Sequence, residues 1–243
     1  MKTKPLSKKM LVLLMTVFIT VSLYAQEDEK KSPFSLGADV VSSYVWRGSK
    51  IGTGPNIQPW LKFSTGGFTL GAWGSSSFHF DTDVAEMDLY TSYTFGFGLT
   101  VGLTDYYYQG FQGEPYPYFQ YQGDTSSHAF EINAAYTIKN FSIAANYVIN
   151  DASKGGPANK PGGGDMYFEA NYAFTNFGIF LGAGNGWHTT YKDNGDDIFA
   201  VCNIGLKAGK ELKITDKFSL PVSGALSVNP NREQLNLVIG VSF

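Results

Sequence analysis

The stretch FEINAAYTIKNFSIAANYVIN, residues 130–150, decides the fold. Phe130, Ile132, Ala134, Tyr136 and Ile138 alternate with Glu131, Asn133, Ala135 and Thr137. Lys139-Asn140 makes a two-residue turn. Phe141, Ile143, Ala145, Tyr147 and Ile149 then alternate with Ser142, Ala144, Asn146 and Val148. Side chains of a strand point to opposite faces with period two, so each segment has one apolar face and one small or polar face. Each is about nine residues long, close to what a tilted strand needs to cross a bilayer. A two-residue link is what a hairpin allows.

Working outward from this hairpin, the same unit recurs. Residues 56–64 and 68–75 are joined at 65–67, 86–95 and 99–105 at 96–98, and 166–174 and 177–187 at 175–176. A longer link, 209–217, joins 198–208 to 218–228. Strands over 34–46 and 234–243 complete a predicted set of twelve. The remaining connections, 47–55, 76–85, 106–129, 150–165, 188–197 and 229–233, are mostly longer and polar. Strict alternation of short and long links is the construction of outer-membrane barrels, with short turns in the periplasm and long loops outside.

Aromatic placement agrees. Phe63, Phe68, Phe95, Phe97, Phe141, Phe174, Phe177 and Phe218 flank the short turns, with Phe34 and Phe243 at the same level. That predicts one interfacial girdle. A second belt is expected from Tyr44, Trp46, Tyr106, Tyr147 and Trp187 near the long loops. The closing segment alternates Leu235, Leu237, Ile239, Val241 and Phe243, and its predicted partner is the first strand, because an open sheet edge leaves backbone groups unsatisfied in lipid.

The N-terminus and the composition fit export. Lys2, Lys4, Lys8 and Lys9 precede the apolar run LVLLMTVFITV, and Ala25 precedes a polar stretch. This is the order of a signal peptide over residues 1–25, followed by a short periplasmic segment over 26–33 and the barrel over 34–243. Removal of the leader leaves fourteen basic against 21 acidic residues, a net charge of about −7 that argues against nucleic acid as a partner. Cys202 is the only cysteine, so disulfides do not hold the domain together, and no Cys near Ala25 marks a lipoprotein. Charged residues make up 16% of the chain, below the usual ~25% of soluble domains, and aromatics another 16%.

The stretch DVVSSYVWRGSKIG (39–52) resembles the first-strand motif of the TorF-like porin family. GAWGSS (71–76), LTDYYYQG (103–110) and FEINAAY (130–136) fall where that family has similar stretches. The resemblance implies a barrel and a pore. The alternation before Phe243 also resembles the closing strand that outer-membrane proteins present to their assembly machinery, which implies that machinery as a partner.

Inward positions carry the chemistry. Asp39, Asp88, Glu131 and Glu169 face Lys62 in the predicted lumen, with Arg47 near the rim. A ring of carboxylates favours cations. The alternative is a plugged interior in which Lys62 and Arg47 pair with these acids. Trp60, Trp73, Tyr90, Phe180 and Phe199 are expected inward and capable of narrowing the lumen, whereas Cys202 is expected outward with Ile198, Ala200, Ile204 and Leu206. Loop 105–124 holds eight aromatic residues, read as extending the outer girdle and packing against each other over the mouth, with sugar stacking or guiding a ligand inward as the alternative. Asp193, Asp196 and Asp197 lack the spacing of a calcium loop. His79, His128 and His188 each lie near a long loop without a spacing that sets a base against a nucleophile, so no catalytic residue, metal or cofactor is assigned.

The sequence therefore predicts a monomeric or homotrimeric twelve-stranded barrel in a Gram-negative outer membrane, passing small polar solutes with a weak cation preference. A non-conducting barrel with a structural or loop-binding role is the alternative, and an outer-membrane hydrolase a third.

Overall fold

Twelve strands close into one antiparallel barrel in the computed structural model, which describes residues 32–78, 85–111, 114–122, 126–152 and 162–243. The predicted leader and His79 lie outside the described residues. In chain order the strands are β1 (Phe34–Val41), β2 (Tyr44–Trp46), β3 (Ser49–Ile51), β4 (Asn56–Thr65), β5 (Phe68–Ser77), β6 (Glu86–Thr94), β7 (Leu99–Tyr108), β8 (Gly110–Phe111) and β9 (Glu114–Pro115). They continue with β10 (His128–Ile138), β11 (Phe141–Val148), β12 (Met166–Ala173), β13 (Gly178–Gly184), β14 (Ala200–Thr215), β15 (Phe218–Asn229) and β16 (Gln234–Ser242). The wall runs β1-β16-β15-β14-β13-β12-β11-β10-β7-β6-β5-β4, and β4 returns to β1.

The outer face is the apolar alternation. Leu61, Leu70, Leu89, Val101, Leu103, Ile132, Ile143, Leu181, Ile204, Leu237 and Ile239 are all exposed, a belt that in water would be a severe liability and in lipid is the favourable state. Nine of the ten predicted girdle residues are exposed at the short-turn end; the tenth, Phe63, packs against Phe34 at 5.0 Å between ring centroids. Closure satisfies the strand edges. Asp39 pairs with Ser242, Val40 with Val241 and Val41 with Gly240, and the Phe243 amide donates to the Ala38 carbonyl at 3.0 Å.

The structure corrects the sequence reading at three places. The first strand does not run to residue 46: it leaves the wall after Val41, and Tyr44–Trp46 pairs with Ser49–Ile51 in a separate hairpin. The 209–217 link is not a loop, because β14 and β15 pair as far as Thr215 and Phe218, leaving only Asp216-Lys217 at the turn. On β14, Gly182 pairs with Asn203 but Ala183 with Val201, so Cys202 is the extra residue of a β-bulge. A bulge shifts the alternation by one. Cys202 is consequently fully buried rather than outward, and Phe199 is exposed rather than in the lumen.

Candidate functional site: a hairpin across the lumen

The sequence forms this hairpin locally. Tyr44, Val45 and Trp46 pair with Ile51, Lys50 and Ser49, leaving Arg47-Gly48 as the two-residue turn. Both turn residues have positive φ, 49° and 83°, the type I′ pattern that matches the twist of a hairpin. Gly48 is also required by contact, since a Cβ there would lie 1.9 Å from the Cys202 carbonyl oxygen. The hairpin tip thus rests on the β14 bulge.

From β1 the hairpin reaches almost to the opposite wall. The Arg47 guanidinium grips Glu131 on β10 with two bonds, 2.6 and 2.8 Å, and lies over the rings of Trp46 (4.6 Å) and Tyr167 (4.7 Å). Bidentate geometry of this kind is the strong form of the Arg–carboxylate pair. Tyr106 Oη donates to Glu131 Oε1 at 2.9 Å and Asn133 Nδ2 at 2.6 Å, so the carboxylate is fully engaged. Asn236 Nδ2 on β16 donates to the Gly48 carbonyl at 3.2 Å. Trp46 packs on Tyr106, Trp187 and His188, with ring centroids 5.5, 5.8 and 4.9 Å apart.

This packing corrects the second aromatic belt. Tyr147 is exposed, but Tyr44, Tyr106 and Trp187 are buried and Trp46 packs against them inside the barrel, forming with Ile51, Tyr108, Ala129 and Val148 the apolar core of the loop-side half. The 3-10 turn Gly186–His188 supplies Trp187, whose amide donates to Asp165 Oδ1 at 2.8 Å. Burial pushes the Asp165 carboxyl up to about 6, against the amide bonds from Gly163 and Trp187 that oppose the shift. Burial, with Arg47 and Arg232 alongside, holds the His188 imidazole well below its usual range.

The predicted lumen charges do not form one ring. Asp39 accepts from Ser242 Oγ at the β1–β16 seam, Glu131 belongs to Arg47, and Glu169 is bonded by Tyr167, Asn171 and Asn203. Asp88 is buried between Trp73 and Tyr106, its register partners. Lys62 Nζ lies 4.6 Å from the Trp60 ring centroid and makes no ion pair among the described residues. Glu86, buried on the same face of β6 as Asp88, was missed although the period-two pattern places it there. Lys207, which donates to Asn171 Oδ1 at 3.3 Å, was missed in the same way.

Inward aromatics of the turn-side half pack against glycines of neighbouring strands. Trp60 covers Gly37, Tyr90 covers Gly71 and Phe180 covers Gly205, each so closely that a Cβ would lie 2.3–2.5 Å from the ring, and nearer the hairpin Tyr167 does the same over Gly182. Trp73 packs on Tyr44 of the hairpin at 5.6 Å. Two cavities remain beside the hairpin. One of about 370 Å³ is lined by Asp39, Trp60, Lys62, Asp88, Tyr90 and Tyr106 among others, and one of about 230 Å³ by Ser43, Arg47, Gln58, Phe180 and Asn203 among others.

Described aromatics of loop 105–124 pack against each other and extend the outer face, but Tyr118 and Tyr121 do so on the outer wall rather than over the mouth. Tyr107 and His128 share the alternation of the exposed Leu103 and Ile132, so they belong to the outer wall, where Tyr118 and Tyr121 cover them. His128 Nδ1 lies 2.9 Å from Asp105 Oδ1, its Nε2 meets the Tyr118 carbonyl, and its ring stacks on Tyr107 and Tyr121. The nearby Ser126 hydroxyl bonds the His128 backbone carbonyl rather than the ring. Asp193, Asp196 and Asp197 bring no cluster of three metal-ligating side chains together among the described residues.

Fold and site together define a closed twelve-stranded barrel with a lipid-type outer face and a hairpin seated in its lumen. The chain belongs to the Gcw_chp family of bacterial proteins of unknown function, whose model matches residues 27–219. No curated protein matches it at a significant level. It is similar to an outer membrane channel of Pseudomonas putida (13% identity, 89% of this chain and 96% of that one, TM-score 0.40). It is also similar to OprD of Pseudomonas aeruginosa (14%, 90% and 67%, TM-score 0.36). A mutant porin of Rh. blastica matches at 13% identity with TM-score 0.37, over 77% of this chain and 55% of that one. The chain thus spans about half the length of that porin.

Proposed function

We propose that this protein is an outer-membrane channel for small polar solutes whose lumen is closed, in this conformation, by the β2–β3 hairpin. The observation that carries the reading is the split interior. A plug meant only as a core would pack throughout, whereas here cavities of about 370 and 230 Å³ flank a hairpin held across the barrel by polar, breakable contacts from Arg47 and Gly48. The TorF-like resemblance of residues 39–52, which are the hairpin and its approach, supports the same reading. Export by a leader over residues 1–25, short turns in the periplasm and insertion by the outer-membrane assembly machinery complete it, as a monomer or homotrimer.

The weak cation preference follows from charge. Five inward carboxylates, Asp39, Glu86, Asp88, Glu131 and Glu169, stand against Arg47, Lys62 and Lys207. Planar-bilayer recording under a salt gradient tests both parts. Wild type is expected to be mostly silent, and Arg47→Ala to give discrete steps with a cation-biased reversal potential. Silence in both establishes the second reading, a non-conducting barrel, which the aromatic core around Trp46 and Trp187 favours.

A further inference from the structure

The larger cavity has the chemistry of a binding site rather than of a passage. Its walls are aromatic: Trp60 and Tyr90 pack against the barrel wall, and Trp73, Tyr106, Tyr44 and Trp46 close the side toward the hairpin. Asp88 stands among them, with Trp73 and Tyr106 as its cross-strand neighbours. It is only 7% exposed and lies against the buried Glu86 carboxyl on the same face of β6, and its Oδ1 accepts no hydrogen bond from any other group among the described residues. A buried carboxylate oxygen without a donor is costly, and the cost is relieved by a ligand that brings a donor or a positive charge. The protein already places an ammonium on one of these faces, Lys62 Nζ over Trp60.

We infer that the cavity bounded by Asp88, Trp60, Trp73, Tyr90 and Tyr106 binds a small organic ammonium ion. Aromatic faces stabilise an alkylated ammonium through their quadrupoles, most strongly where water is excluded. The Glu86–Asp88 carboxyl pair supplies the counter-charge, and Asp39 across the cavity keeps the lining net negative against Lys62. A sugar hydroxyl can donate to Asp88 over the same ring faces, but a neutral sugar gains nothing from the net negative charge of the lining. The volume, about 370 Å³, lies in the range of small-ligand pockets, ~300–1,000 Å³. The inference deepens the proposed function and rests on it for the route by which solute reaches the lumen. Binding itself is measured without conduction, so the two fail separately.

The probe is choline, titrated into the folded full-length protein in detergent, with intrinsic fluorescence as the readout. Three of the four tryptophans, Trp46, Trp60 and Trp73, line the cavity, so occupancy reports directly. A saturable change is expected with choline but not with sodium chloride at equal ionic strength, nor with 3,3-dimethylbutan-1-ol, its uncharged isostere. Asp88→Asn is expected to weaken binding about tenfold or more. Lys62→Gln, by vacating the Trp60 face and removing a like charge, is expected to tighten it. Equal response to the uncharged isostere, unchanged affinity in Asp88→Asn, or absence of saturation overturns the assignment. The isostere arm uses wild type alone and holds even if a variant fails to fold. Saturation by glucose with none by choline would identify a sugar site instead.

Discussion

The two halves of the lumen are built from the same strands and solve the same problem in opposite ways. On the loop side, a hairpin and a 3-10 turn bring Trp46, Trp187 and Tyr44 inward, and the interior is packed to burial around the Arg47–Glu131 pair. On the turn side no described segment is inserted, and Trp60, Tyr90 and Phe180 pack onto glycines of the neighbouring strands. Inward aromatic content therefore does not by itself say how an interior is packed. What matters is whether the neighbouring strand offers a glycine to lie on or an inserted segment offers a partner to pack against.

The sharpest way to break this contrast is to remove the carboxylate that ties the plug. Glu131→Ala leaves Arg47 buried without its partner, and loss of one member of such a pair costs roughly 3–5 kcal/mol. The expected result is a large fall in the urea midpoint together with appearance of conductance. Glu131→Gln, which keeps hydrogen bonding, should lose less. Equal and negligible effects would mean that the aromatic packing, not the ion pair, seats the hairpin.

The next effect is on the outer face, where both halves share one rule. Leu181, exposed in the middle of β13, is paired with Ala170 and Ile204. Leu181→Arg should destabilise by roughly 2–4 kcal/mol in bilayers, the cost of a charge near mid-membrane. Ile143→Arg, two residues from the Phe141 girdle, should cost less, because the penalty falls toward the interface. Refolding yields into lipid vesicles at graded urea measure both.

That outer rule is why the fold was so legible. Alternation with period two names the lipid face residue by residue, and linker lengths name the two ends, so twelve strands could be read from one chain. The rule fails where the backbone departs from it. The Cys202 bulge adds one residue and inverts Phe199 and Cys202 together, and no local signal in IFAVCNIG marks it. The hairpin was legible in principle, since Arg47-Gly48 sits between two alternating triplets, but YVW reads equally well as the continuation of β1. Its destination on β10 depends on a contact between residues 47 and 131, far apart in sequence. The lumen charges were found as inward residues, while their division into separate engaged sites is a property of the assembled wall.

A pH titration sharpens the loop-side half. Asp165 ordinarily ionises near 3.8 and in the fold near 6, so the folded state holds its proton more tightly than the unfolded chain. The stability that protonation confers is present below 3.8 and is lost as pH rises toward 6, on the order of 3 kcal/mol at about 1.4 kcal/mol per unit. Asp165→Asn should therefore gain on wild type steadily across that window and run parallel to it outside. His188 acts with the opposite sign: it stays neutral in the fold, so wild type loses stability as pH falls below 6.5 and His188→Gln does not. Urea unfolding at fixed pH steps, comparing each variant with wild type, reads both slopes.

The smallest expected effect tests the turn-side half directly. A Cβ on Gly71 would lie 2.3 Å from the Tyr90 ring, whereas one on Gly224 would meet nothing nearer than the Val238 carbonyl at 3.9 Å. Gly71→Ala should cost roughly 1–3 kcal/mol, the penalty of overpacking, and swing Tyr90 off the wall into the lumen. Gly224→Ala should stay within about 0.5 kcal/mol of wild type. In the Arg47→Ala background, Gly71→Ala should also reduce single-channel conductance, because the displaced phenol enters the space that the glycine kept clear. If both glycines tolerate alanine equally and conductance is unchanged, the rings are mobile on the wall, and the openness of this half owes nothing to the glycines beneath them.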